Sequence, residues 1–191
     1  MLEDIPSGAR FLTPILEAMK QRRVVFINYQ KFADTEPSPR RIEPYGLKLD
    51  KQRWYLLARK LPNREMRTYA LDRITKFEML DERFVIDANF DAADWYKDVV
   101  GVFVQHEVKT QKVKIRVKSN IANYLRALPL HMSQTEIERT ADYSVFSFTV
   151  KPDVEFESCL MRYGSNIEVL EPLELRNKFA QTAREMSKLY S

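Results

Sequence analysis

The alternation of apolar and polar residues divides the chain into a first stretch of short strand-like runs and a second stretch in which strands and helices alternate. Residues 11–22, FLTPILEAMKQR, place Phe11, Leu12, Ile15, Leu16 and Met19 at helical spacing above a basic C-terminal end, which predicts a short lead-in helix. VVFINY (24–29) is β-branched and aromatic, a strand pattern; ADTEPSPR (33–40) is rich in turn formers; RRIEPYGLKLD (40–50) reads as a strand interrupted by Pro44 and Gly46. In KQRWYLLARK (51–60), Trp54, Leu56 and Ala58 share one strand face and Arg53, Tyr55, Leu57 and Arg59 the other. MRTYALDRITKFEML (66–80) is a further strand-like run, broken at Leu71-Asp72-Arg73. Short strands with polar turns between them predict a small barrel.

From residue 112 the pattern becomes regular. KVKIRVK (112–118) puts Val113, Ile115 and Val117 on one face and only Lys or Arg on the other. SNIANYLRALP (119–129) opens on a Ser/Asn cap and stops at Pro129, a helix pattern. SQTEIERT and YSVFSFTVK form two strands meeting at Ala141-Asp142, PDVEFESCLMRYG a helix ending at Gly164, IEVLEP (167–172) a strand, and ELRNKFAQTAREMSKLY a closing helix. The order β-α-β-β-α-β-α predicts a ferredoxin-like α+β sandwich. The expected organisation is a first domain over 1–81, an acidic connector over 82–111 and a second domain over 112–191.

Charge sharpens this division. The net charge of +4 is mild, yet residues 22–76 hold fourteen Lys/Arg against six Asp/Glu, 77–111 three against eight, and 112–191 twelve against ten. Attraction for an anionic partner belongs to the first third. With 191 residues, 45% of them hydrophobic, the chain supports one full core or two small ones. No apolar run approaches the ~20 residues of a membrane helix and MLEDIPSGAR lacks the order of a signal peptide, so a cytoplasmic protein is expected.

Catalytic chemistry finds no constellation. The single cysteine, Cys159, excludes an internal disulfide and falls at a core position of its helix, and His106 and His131 offer no zinc-ligand spacing. Glycines 8, 46, 101 and 164 are scattered singly, so no phosphate-cradling loop exists. The chain reads as neither an enzyme nor a cofactor protein.

Pro44-Tyr45-Gly46-Leu47, Trp54-Tyr55-Leu56 followed by Ala58, Arg67-Thr68-Tyr69 and Leu71-Asp72-Arg73-Ile74 together resemble the WYL domain. Residues 112–191, with Tyr163-Gly164 and the Ile167–Pro172 ending, resemble the extension that follows it. The resemblance implies an Sm-like, SH3-type barrel in a bacterial transcription regulator. Its barrel would sense a single-stranded nucleic acid or a nucleotide-like ligand and control an N-terminal winged helix-turn-helix that reads operator DNA. Either a part of a longer regulator or a stand-alone sensor is expected.

The resemblance nominates Arg67 and Arg73 as anion ligands, with Tyr55 shaping the pocket and Tyr29, Lys31 and Arg41 contributing. The strand pattern adds Arg53, Arg59 and Tyr69, because guanidinium forks interleaved with phenol rings suit phosphates and bases. Members of the family often carry a small hydroxyl residue where this chain has Lys31 and an arginine where it has Ala70. As alternatives to these roles, Asp72 and Arg73 form a structural ion pair at a strand break, and Arg53 and Arg59 read at least as well as solvated edge-strand charges. A homodimer is expected through 112–191, and a pure oligomerisation module is the alternative function.

Overall fold

The computed structural model describes residues 8–191; residues 1–7, which the expected first domain includes, lie outside the described residues. Two compact units divide between Trp95 and Tyr96.

In the first unit a 3-10 turn, Ala9–Phe11, leads into α1, Leu12–Gln21. Strands β1 (Arg23–Tyr29), β2 (Ser38–Asp50), β3 (Arg53–Lys60), β4 (Glu65–Ala70) and β5 (Ile74–Arg83) form one sheet in the order β4-β3-β2-β1-β5, antiparallel at every ladder. Helix α1 turns Ile15 and Ala18 onto Val25, Ile27, Ile42, Leu56, Leu71 and Ile74, all fully buried. Each large aliphatic side chain so buried contributes roughly 1.5–3 kcal/mol.

The expected interruption at Pro44 and Gly46 is a bulge within one continuous strand. Pro44 pairs with Ala58 and Gly46 with Leu57, so Tyr45 is left over and the sheet bends there. The lack of a side chain at Gly46 matters, since a Cβ would stand 3.2 Å from that of Ala92.

The closed barrel does not form. Strands β4 and β5 share no ladder, because Leu71–Arg73 between them is a 3-10 turn and the Ala70 amide donates instead to the Tyr29 hydroxyl at 3.2 Å. Nor is the arginine-bearing face of β3 an open surface, for Tyr55 and Leu57 on it are buried. That same face is partly roofed by residues of the acidic stretch after β5. Tyr45 stacks on Phe84 at 5.7 Å and meets Phe90 edge-on at 4.8 Å, and Phe90 reaches Trp95 of the four-residue helix α2, Ala92–Trp95.

Gly8 enters with φ 68°, and a Cβ there would lie 2.3 Å from the carbonyl carbon of Leu71 and 2.4 Å from the Asp72 nitrogen. Only glycine allows the lead-in segment to press on that turn.

The second unit runs β6 (Gln111–Lys118), α3 (Ser119–Ala127), β7 (Thr135–Arg139), β8 (Tyr143–Val150), α4 (Val154–Met161), β9 (Ile167–Glu171) and α5 (Leu173–Lys188). Its antiparallel sheet has the order β7-β8-β6-β9. Val113, Ile115 and Val117 are fully buried with Leu125, Phe146, Phe148 and Phe156, as the period-two pattern requires. The expected Ser/Asn cap of α3 is absent, because Lys118 holds the cap position and the Ser119 amide donates to the Asp142 carbonyl at 2.9 Å. Helix α4 is capped by Asp153, whose Oδ1 accepts from the Phe156 amide at 3.0 Å. Cys159 packs in this core. Among the described residues no helix is long and apolar enough to cross a membrane, and no group of His, Cys, Asp and Glu side chains is placed to hold a metal ion.

Candidate functional site

The basic residues of the first unit fall into several settings. The densest lies where the start of β3 meets the 3-10 turn. Arg53 donates through Nη2 to Oδ2 of Asp72, so the carboxylate expected to serve Arg73 is engaged by Arg53. The pair is largely shielded, with the Arg53 side chain 25% and that of Asp72 10% exposed. Central placement of β3, between β2 and β4, excludes the edge-strand reading of Arg53 and Arg59.

Arg73 has no carboxylate partner among the described residues. Its guanidinium carbon lies 3.5 Å from the centroid of Phe32, a cation–π contact that contributes about 0.5–2 kcal/mol. Phe32 is itself 79% exposed, and its loop is tied down because the Gln30 amide donates to the Arg73 carbonyl at 3.1 Å. Nε of Arg53, Nε of Arg73 and Oδ1 of Asp72 are buried without hydrogen-bond partners. Tyr55 is buried beside them; burial pushes its phenol above the ordinary value, opposed by the Arg53 charge. Two guanidiniums around one carboxylate leave an excess positive charge next to an exposed aromatic ring. Guanidinium edges suit a phosphate and an exposed aromatic ring suits stacking with a base.

Other nominated residues stand elsewhere. Tyr29 and Tyr69 belong to the core, edge to face at 5.1 Å, and burial pushes the Tyr69 phenol up to about 12. Arg67 lies exposed on the edge strand β4 and binds Glu65 through Nε at 3.1 Å and Nη2 at 2.5 Å. Arg59 is held 3.8 Å from Glu43 and over the Tyr45 ring at 4.8 Å. Six residues of strand, roughly 20 Å, separate Arg59 from Arg53, so one small ligand does not span both. Lys31 is exposed next to Phe32, and Arg41 pairs with Glu82.

Two features escaped the sequence reading. Phe32 was hidden in a turn-rich loop, where an aromatic residue beside Lys31 in an otherwise polar run was the available signal. The Arg53–Asp72 pair joins residues from different elements and has no local signature.

The WYL domain matches residues 10–79 and the WCX domain residues 109–187. Over 162 residues the chain is 26% identical to the HTH-type transcriptional regulator YobV of Bacillus subtilis (strain 168), itself uncharacterized, covering 83% of this chain and 49% of that protein. It therefore spans about half the length of the curated relative it matches. Among solved structures it resembles a CRISPR Cas-related protein with TM-score 0.57 and 14% identity, over 96% of this chain and 52% of the other. The proteasome accessory factor B/C (PafBC) of Arthrobacter aurescens aligns with TM-score 0.45 and 18% identity, over 91% of this chain and 26% of its own. The WYL match falls on the sheet that carries Arg53, Asp72 and Arg73 and the WCX match on the second unit, so the chain carries a WYL domain followed by a WCX domain.

Proposed function

We propose that this chain is the sensing region of a cytoplasmic bacterial transcription regulator. It binds a single-stranded nucleic acid or nucleotide-like anion at Arg73, Arg53 and Phe32. Occupancy there controls operator binding by a helix-turn-helix domain, which the name of the Bacillus subtilis relative supports. The observation that carries this reading is the Arg73 guanidinium, without a carboxylate and stacked under an exposed phenyl ring. Phosphate takes the guanidinium edge and a base takes the ring.

Fluorescence anisotropy of short single-stranded DNA and RNA at about 50 and 200 mM salt tests it. Binding that weakens with salt and is lost in Arg73→Ala, with Arg67→Ala giving a smaller loss, is expected. Absence of binding, or binding indifferent to Arg73→Ala, overturns the nucleic-acid reading.

We read the second unit as a ferredoxin-like sandwich that assembles a homodimer. The strand order β7-β8-β6-β9 supports the first point, and the exposed apolar side chains Tyr124, Leu128, Met132 and Ile137 support the second. Sedimentation velocity checks it, with a dimer expected and a monomer at all concentrations contradicting it.

A further inference from the structure

The second unit holds a cavity of about 370 Å³ between the segment that enters β6, the first half of α4 and the first turns of α5. Val108, Pro152, Pro172 and Leu175 give it an apolar lining. Charged residues of both signs reach it from three directions: Glu107 and Lys109 from the entry segment, Glu157 from α4, and Glu174 and Lys178 from α5. Glu174 and Lys178 stand about one helical turn apart and share a face of α5, and the bond from Lys178 to Glu157 turns that face toward α4.

These charges are unequally satisfied. Nζ of Lys178 lies 2.7 Å from both carboxylate oxygens of Glu157, whose side chain is 16% exposed, and the two cancel. Glu107, Lys109 and Glu174 form no ion pair among the described residues. Two carboxylates and one ammonium therefore remain unanswered around an apolar floor.

Size and chemistry constrain the occupant. The volume lies in the range of small-molecule sites, about 300–1,000 Å³. A simple anion would bring its charge among three carboxylates, a simple amine would leave Lys109 without a partner, and a neutral apolar molecule would leave all three free charges so. We infer that this cavity binds a small zwitterion, an α-amino acid with an apolar side chain. Its ammonium meets Glu174 and Glu107, its carboxylate meets Lys109, and its side chain covers Leu175, Pro152 and Pro172. The site uses no residue of the first unit, so it stands or falls apart from oligonucleotide binding at Arg73.

Isothermal titration of the whole chain with L-leucine and L-phenylalanine tests this, each set against its amide, which keeps only the ammonium, and its deaminated acid, which keeps only the carboxylate. At least one amino acid binds about tenfold or more tightly than both of its single-charge analogues. Glu174→Gln and Lys109→Gln each weaken it by about tenfold, Lys109→Arg preserves it, and Arg73→Ala and Lys112→Gln, both outside the cavity, leave it unchanged. Glu107→Gln, also weakening, serves if either of the first two variants fails to fold. Equal binding of an amino acid and its amide or its acid, no binding of either amino acid at about 10 mM, or binding indifferent to Glu174→Gln or to Lys109→Gln overturns the inference.

Discussion

The two units handle charge in opposite ways. In the second, fourteen Lys/Arg nearly balance twelve Asp/Glu, and Lys114 with Glu171, Arg116 and Arg176 with Glu168, Arg126 with Glu136, and Lys178 with Glu157 pair at 2.6–3.0 Å. In the first, Arg23, Arg41, Arg53, Arg59 and Arg67 have carboxylate partners while Arg73, Arg40 and Lys60 have none among the described residues. A surplus in the sequence becomes a functional surface only where it outlasts the local pairing. Charge counting located the surplus, and the pairing then decided which residues retain it.

The largest effect that bears on this division is loss of core in the second unit. Phe148→Ala, which removes the edge-on contact with Phe156 at 5.5 Å, should destabilise that unit by about 3–5 kcal/mol in urea unfolding. Hydrogen exchange should show the first-unit amides still protected and oligonucleotide binding retained. Joint loss of protection would break the separation of roles.

Next comes the alkaline limb of stability. The folded Tyr69 phenol is held at about 12 against an ordinary 10.0, so the unfolded chain loses this proton first as pH rises. Stability is therefore intact below pH 10 and falls between 10 and 12, by up to roughly 2–3 kcal/mol. Tyr69→Phe should flatten this limb in pH-dependent thermal melts; an unchanged slope would remove Tyr69 as its source.

The smallest effect concerns a self-neutralising pair. Hydrogen bonds from Arg126 hold Glu136 at about 2 against an ordinary 4.5, so its contribution is present above pH 4.5 and disappears as pH falls toward 2. Because the pair is near the surface, Glu136→Gln should cost less than about 1 kcal/mol at neutral pH and leave ligand binding untouched. A change in oligonucleotide affinity would show that the second unit's charges reach the site.

Much of the fold was legible because it is written locally. Val113, Ile115 and Val117 alternate and are buried, and the helix after Pro152 carries its Asp153 cap. Barrel closure was not legible, since it turns on whether the outer edge of β4 finds β5 or whether Ala70 gives its amide to Tyr29, forty-one residues away. Acidity of the stretch after β5 was plain, yet Phe84 and Phe90 follow no strand or helix period and did not announce that they cover Tyr45. At the site, Arg73 stood out within its motif. Its cover, Phe32, depends on a loop anchored through the backbone of Gln30.

The contact at Gly8 makes the turn beneath Arg73 part of a rigid linkage. With bare backbone on one side and the Leu71–Asp72 backbone on the other, there is no side chain whose rotation can absorb a shift. The entry to α1 and the turn that carries Arg73 are thus joined by close backbone packing, to which Arg10 adds a hydrogen bond to the Ile74 carbonyl at 3.4 Å.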